Sequence, residues 1–306
     1  MAQPQQQKGG YKQINKALNI CAFEDYLSAQ LKYLPHLEDV EQLSPRVIRV
    51  LGQNAGKRLI IDTAQGIPEW ADIIETTLYE HSISLSHVLL SHWHGDHTGG
   101  VPDLLSLYPD LSEAIYKNSP GSDQQPIGDG QIFRVEGATI RAVHAPGHSH
   151  DHMCFILEEE NAMFTGDNVL GHGTSAVEEL GLYMEMLRTL QSHNCAVGYP
   201  AHGDMIPNLP AKIAGELAQK TRRERQILMT LDRLNNKLRR TGQGKRASVP
   251  VKELVVLIHG EGIEEEVRKM ALEPFIDEVL RKLAEDGKVA FEMRGGVKRW
   301  FGVGGL

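Results

Sequence analysis

The chain has 306 residues, 41% hydrophobic and 24% charged, with a formal net charge of −8. That length allows one large domain, or one of about 200 residues plus a small one, and the acidic balance excludes a chain-wide pull toward nucleic acid while leaving room for a local basic region. Three cysteines without CxxC spacing exclude a disulfide framework or a cysteine zinc knuckle, and with no signal-peptide core or 18-residue apolar run the expectation is a cytoplasmic enzyme with no membrane segment.

Residues 1–15 are polar, rich in Gln and Gly, and expected to be disordered. "ICAFEDYLSAQLKYL" then carries a stripe of Phe23, Tyr26, Leu27, Leu31, Tyr33 and Leu34, which suits core packing or the wall of an apolar cleft. "RVIRVLG" (46–52) and "KRLIIDTA" (57–64) predict two strands, and "IPEWADIIETTLYEHS" (67–82) a helix with Pro68 near its start. "LSHVLLS" (85–91) is a short buried strand, followed by the loop "SHWHGDHTGG" and a helix from "GGVPDLLSLY". "EAIYK", "QIFRV" and "TIRAVHA" read as strands, "MCFILEE" and "NAMFTGD" as a hairpin turning at Glu160-Asn161, 177–191 as a helix, and "CAVGYPAHG" as a last strand. Strands and helices in this alternation predict a layered α/β sandwich over 16–207. From 208 the pattern becomes helical: a long helix with Ile227, Leu228, Leu231, Leu234 and Leu238 on one face, a break at "GQGKR", helices over 250–258 and 263–286, and a hairpin turning at Gly295-Gly296. This predicts a small winged-helix-like unit over 208–306.

Fourteen histidines need sorting. His36, His81, His87, His193 and His259 stand alone and read as ordinary core or surface residues. His92, His94, Asp96 and His97 do not, because four metal-ligating side chains fall within six positions. Alternation puts His92 and His94 on one side and turns Asp96 and His97 the other way, so one loop can serve two adjacent cations. Imidazole and carboxylate suit Zn²⁺, with Mn or Fe as alternatives. Two cations need more ligands, and three later strand ends offer them: His148 in "HAPGHSHDH", Asp167 in "FTGDNVLG" and His202 in "YPAHGD". Asp167 can bridge, one carboxylate oxygen to each cation.

"HWHGDH" with these three later residues resembles the HxHxDH motif and ligand order of the metallo-β-lactamase fold superfamily, over roughly 45–207. The resemblance implies an αββα sandwich, one cation on His92, His94, His148 and Asp167, and a second on Asp96, His97, Asp167 and His202. It also implies that Asp62 supports the site from behind, and that glycine is usual where this chain has Ala64. Cations so held would lower the pKa of water toward neutrality and polarise a carbonyl. Asp96 would orient the attacking water and take its proton. His144, His150 and His152 are expected only to pack around the site or orient ligands.

The scaffold alone does not name a substrate. Glyoxalase II lacks the terminal hairpin unit, and β-CASP ribonucleases insert a domain where only 34 residues separate Asp167 from His202. "RVIRVLGQNAG", "PGHSHDH", "GDNVLGHGT" and "YPAHG" resemble instead the lactamase-like group with a winged-helix tail. Within it the chain is most similar to the fungal atrochrysone carboxyl acyl-carrier-protein thioesterases, including "NKALNICAFEDYLSAQLKYLP" near the start. The resemblance implies release of an aromatic polyketide from the acyl carrier domain of a non-reducing polyketide synthase. Two alternatives stay open: a single-strand endoribonuclease of the same group, and a non-catalytic winged-helix nucleic-acid-binding protein. His172, where ribonuclease-like members carry an acid, leans away from RNA. Residues 211–246 hold eleven Lys and Arg against three acids, and read either as a solvated helix face or as a dock for an acidic partner such as the carrier.

Overall fold

The computed structural model describes residues 41–44, 46–49, 56–241 and 247–303. The expected disorder over 1–15, the apolar stripe over 23–34 and the "GQGKR" break lie outside them. Two compact units form: one runs to Glu178 and adds Glu185–Ala214, and the other comprises Glu179–Met184 and the chain from Gly215 onward.

The first unit is built on two sheets. A short ladder pairs β1 (Glu41–Gln42) with β2 (Ile48–Arg49). A parallel sheet follows in the order β3 (Gly56–Ile61), β4 (Ile83–Leu90), β5 (Ile115–Lys117) and β6 (Gln125–Pro126). Helix α1 (Pro68–Glu80) links β3 to β4, while a single turn α2 (Gly95–Thr98) and α3 (Val101–Leu107) lie between β4 and β5. The second sheet has the order β11-β10-β9-β8-β7, from β7 (Ile132–Val135), β8 (Ala138–His144), β9 (Met153–Leu157), β10 (Ala162–Gly166) and β11 (Val197–Pro200). Its strands run antiparallel except β11, which returns beside β10 in parallel after α4 (Leu180–Ser192).

The unbroken apolar end of β4 follows from burial on both faces. Val88, Leu89 and Leu90 are each 0% exposed. Leu89 packs between the sheets with Phe133, Met153 and Phe155, whereas Val88 and Leu90 face the helices with Trp70, Ile74 and Leu104. Successive strand residues point to opposite faces, so one tripeptide serves both cores.

The strand expected over 57–64 stops at Ile61, because Asp62 takes a left-handed φ of 62° that no ladder accommodates. The hairpin predicted at Glu160-Asn161 carries a 3₁₀ turn over Glu158–Glu160 before Asn161, and β6 was not anticipated. Two residues without alternation give no periodic signal.

In the second unit the long helix α5 (Leu209–Thr241) continues from the first, with Ile227 and Leu231 buried and Leu228, Leu234 and Leu238 half-buried. Then come α6 (Val251–His259), α7 (Glu265–Val267), α8 (Glu273–Glu285), β12 (Val289–Arg294) and β13 (Val297–Gly302). The single helix expected over 263–286 is interrupted by a π turn, Arg268–Leu272, just before Pro274. Proline has no N–H to bond back and its ring crowds the preceding turn, which widens there. Gly295 and Gly296 turn β12 into β13 with φ of 59° and 77°, the mirror-image turn that matches strand twist. Leu254, Val279, Leu280, Leu283 and Trp300 form the core. Among the described residues no helix is long and apolar enough to cross a membrane.

Candidate metal centre

Every predicted ligand follows the end of a strand in the first unit. β4 delivers His92 and His94, and α2 then turns Asp96 and His97 onto a different heading. The split inferred from strand alternation therefore arises from a helical turn that begins just after His94. Gly99 and Gly100 let this turn press on the segment after β3: a Cβ at Gly99 would lie 2.3 Å from Gln65 O, and one at Gly100 2.1 Å from Thr63 O. Ala64, where the resemblance leads one to expect glycine, holds a left-handed φ of 53° in this contact.

The seven side chains come together as two groups, His92, His94, His148 and Asp167, and Asp96, His97, Asp167 and His202. Asp167 belongs to both. Its Oδ2 is 3.5 Å from His148 Nε2, while its Oδ1 is 3.5 Å from His97 Nε2 and 3.4 Å from His202 Nε2. Asp96 Oδ2 lies 3.3 Å from His202 Nε2 and 3.6 Å from His97 Nε2. Donors held 2.0–2.2 Å from a tetrahedral cation stand about 3.3–3.6 Å from one another. Those distances suit a shared ion better than they suit direct hydrogen bonds. His97 Nε2 and Asp167 Oδ1 are buried without a hydrogen-bond partner, the condition of ligand atoms that await a cation. His94 Nδ1 sits closer to its neighbours, 2.9 Å from His92 Nε2 and 3.1 Å from His148 Nε2, so occupancy would spread these three rings slightly. The residues fit a two-cation centre.

A layer of hydrogen bonds aims the ligands. Asp62 accepts from the backbone N–H of Ser91 at 2.7 Å, from Ser91 Oγ at 2.8 Å and from His97 Nδ1 at 2.8 Å. His97 thereby keeps its proton on Nδ1 and presents Nε2 to the site. Ser91 Oγ also meets His92 Nδ1 at 2.9 Å, and His148 Nδ1 donates to Ala176 O at 2.7 Å. Burial opposes a charge on His97, but the Asp167 and Asp62 carboxylates outweigh it and raise its pKa to about 10 without a cation. Burial likewise opposes ionisation of Asp167, yet His97, His202 and His148 hold it down at about 2. For His92 and His152, burial and the surrounding imidazoles push the pKa well below the usual histidine value.

His152, expected only to pack or orient, is 0% exposed and stacks on His92 with ring centroids 5.0 Å apart. Its Nε2 accepts the backbone N–H of Asp167 at 3.0 Å. Gly166, at φ 50°, makes room for that ring, since a Cβ there would fall 2.6 Å from Nε2. His144 and His150 are exposed; His144 Nε2 bonds to His150 O at 3.2 Å, and the His150 ring faces Glu178 at 4.0 Å. His172 lies against the His202 loop, its Nδ1 2.4 Å from where a Cβ on Gly203 would stand. His87 packs between Tyr116 and Phe133 and meets Ser86 Oγ at 2.9 Å. His36 lies outside the described residues.

Sequence reasoning missed Lys117 and Asp151. Lys117, at the end of β5, forms a buried ion pair with Asp151 in the loop that carries His148. The ammonium also donates to Asn118 O at 2.8 Å and Ser119 O at 3.3 Å, and Asp151 accepts from Ser149 Oγ at 2.8 Å. This node ties the ligand loop of the second sheet to the end of the first. Lys117 ends the apolar-looking "EAIYK", and an ammonium in a predicted buried strand was the available signal.

The profile of the metallo-beta-lactamase superfamily matches residues 47–233. The chain is 81% identical, with 100% of both chains covered, to the "Atrochrysone carboxyl ACP thioesterase" of Emericella nidulans. It is 67% identical to the protein of that name from Paecilomyces divaricatus, covering 97% of this chain and 98% of the other. Of solved structures, a beta-lactamase domain protein from Burkholderia ambifaria superposes with a TM-score of 0.68 at 16% identity, over 89% of this chain and 96% of that one, a likeness of fold.

Proposed function

Because the chain belongs to the metallo-β-lactamase superfamily, we propose that it is a cytosolic, metal-dependent thioesterase that frees an aromatic polyketide from the acyl carrier domain of a non-reducing polyketide synthase. Full-length identity of 81% to a protein named an atrochrysone carboxyl ACP thioesterase carries the substrate class. The paired His/Asp groups carry the reaction class. In this reading residues 16–207 form the catalytic domain and 208–306 an accessory one, winged-helix-like in its order of helices and terminal hairpin.

His92, His94, His148 and Asp167 would hold one cation, and Asp96, His97, Asp167 and His202 the other, zinc being the first choice for this donor set and Mn or Fe the alternatives. Bound divalent cations supply Lewis acidity, which lowers the pKa of water and draws electron density from a carbonyl. The two carboxylates divide their duties by exposure. Asp167, 12% exposed, is enclosed by His148, His97 and His202 and serves to hold the groups together. Asp96, 46% exposed, points one oxygen at His202 and leaves the other to orient water and accept its proton. Asp62 fixes the ring of His97, and Ala176 O that of His148. As water adds to the thioester carbon the C–S bond breaks, and the sulfur leaves as a thiolate that needs no strong acid, since thiols ionise near pH 8.5.

The test is release of product from an acyl-loaded carrier domain. Metal-replete protein should turn over and carry two metal equivalents per chain. His92→Ala and Asp96→Ala should remain folded and inactive. Full activity after removal of metal, or efficient cleavage of single-stranded RNA with acyl thioesters untouched, would reverse the reading.

A further inference from the structure

The basic segment 211–246 is sorted by the fold into two populations. Lys220 is 4% exposed and lies 5.5 Å over the Tyr183 ring. Arg223 stacks 4.3 Å from the centre of the Phe275 ring. Two of the three acids turn inward as well: Glu216 and Glu224 are buried, and Glu224 pairs with Lys282 at 2.6 Å. Asp232, the third acid, is half-buried, and among the described side chains the fully exposed charges of α5 are cations. Arg222, Arg225, Arg233, Lys237 and Arg240 are all exposed on α5. Their spacing places them along one face, a stripe about 27 Å long at 1.5 Å per residue. Met229, 41% exposed, stands in its middle. Among the described residues, none of the five cations has an acidic partner.

Like charges three and four residues apart weaken a helix, and the chain keeps this repulsion although its total charge is −8. We propose that the stripe docks the acyl carrier domain through an acidic face of that domain, with Met229 as an apolar contact among the cations. The proposal rests on the thioesterase reading for the identity of the partner. The substrate arm of a carrier is joined to it through a phosphodiester, so the charge is negative where the enzyme must approach. A globally acidic enzyme needs a local cationic surface to admit such a partner. RNA is the weaker match, because single-strand binders stack bases on aromatic side chains and the stripe exposes none. Arg223, half-buried and packed on Phe275, is not counted in this surface.

The experiment compares the full-length, metal-loaded protein with Arg222→Glu/Arg225→Glu/Arg233→Glu and with the charge-preserving Arg222→Lys/Arg225→Lys/Arg233→Lys. Binding of a fluorescently labelled holo carrier domain from a fungal non-reducing synthase is read at low and high salt. In parallel, kcat/KM is measured on the acyl-carrier thioester and on a small acyl-N-acetylcysteamine thioester. The Glu variant should bind the carrier about tenfold or more weakly at low salt, and the gap should close as salt screens the charges. Its ratio of carrier-bound to free-thioester kcat/KM should fall by a similar factor, and the Lys variant should retain both. Unchanged carrier affinity, or equal loss on both substrates, would overturn the docking surface. So would weakened binding of a single-stranded RNA oligonucleotide with carrier binding intact. Should the wild type hydrolyse neither thioester, the thioesterase reading fails, and the binding comparison still decides the docking.

Discussion

Lys117→Met is the most revealing single change in the first unit. Lys117 is 7% exposed and Asp151 0%, so the substitution leaves a carboxylate sealed from water with Ser149 Oγ as its remaining partner. Removing one member of a buried ion pair costs about 3–5 kcal/mol. For a unit of this size each kcal/mol lowers Tm by about 2–4 °C, so a fall of about 6–20 °C is expected. Asp151→Asn should cost less, because the ammonium keeps the carbonyls of Asn118 and Ser119. The double variant Lys117→Met/Asp151→Leu removes both charges and should return most of the stability, since apolar replacements of buried pairs are often neutral or better. If the node also sets the His148 loop, the double variant should regain Tm but still bind Co²⁺ more weakly than wild type. Thermal unfolding followed by circular dichroism, with a Co²⁺ titration of the metal-free protein, measures both. A Lys117→Met protein that melts at the wild-type temperature would refute the reasoning, and a double variant with wild-type Co²⁺ affinity would confine the pair to stability.

Asp62→Ala should weaken metal binding by about 10–100-fold through the freed His97 ring, read by competition with a chromogenic chelator; unchanged affinity would show that Asp62 does not set that ring. Gly166→Ala should destabilise the fold by about 1–3 kcal/mol, because its new methyl meets the His152 ring at a left-handed φ, and chemical denaturation with an unmoved midpoint would contradict this. In metal-free protein the lowered pKa values of His92 and His152 mean that their contribution to stability is complete above about pH 6.5 and is lost as pH falls. The raised pKa of His97 works oppositely, its contribution being complete below about 6.5 and lost as pH rises through about 10. Tm in the presence of chelator should therefore fall on both sides of about pH 6.5–7, and a flat profile between pH 5 and 6.5 would exclude the buried neutral imidazoles.

The seven side chains that gather at the candidate centre were legible because each is chemically conspicuous and each follows an apolar strand. Fold class was legible for the related reason that β4 is too apolar for a strand with a wet face. What escaped notice was conspicuous in neither way. Lys117 and Asp151 are 34 positions apart, and nothing local pairs them. The inward turn of Lys220 and Arg223 depends on partners from α4 and α8, so composition grouped them with the outward cations. Helix boundaries slipped where Pro274 widened a turn without ending it.

The shared carboxylate has a bearing on how the protein is made. His92, His94, Asp96 and His97 leave the first sheet, whereas His148, Asp167 and His202 leave the second, so each group draws on both. Neither sheet alone supplies a complete group. A nascent chain completes one group only once Asp167 has been synthesised and the other only after His202. Assembly must then bring strand ends together across long stretches of chain, the slow kind of contact to form. Ions captured at the finished centre stabilise the joined sheets and not the separate ones, by an amount that grows with free metal concentration. Loss of the ions would thus loosen the protein first at the seam between its sheets, where the two groups are shared.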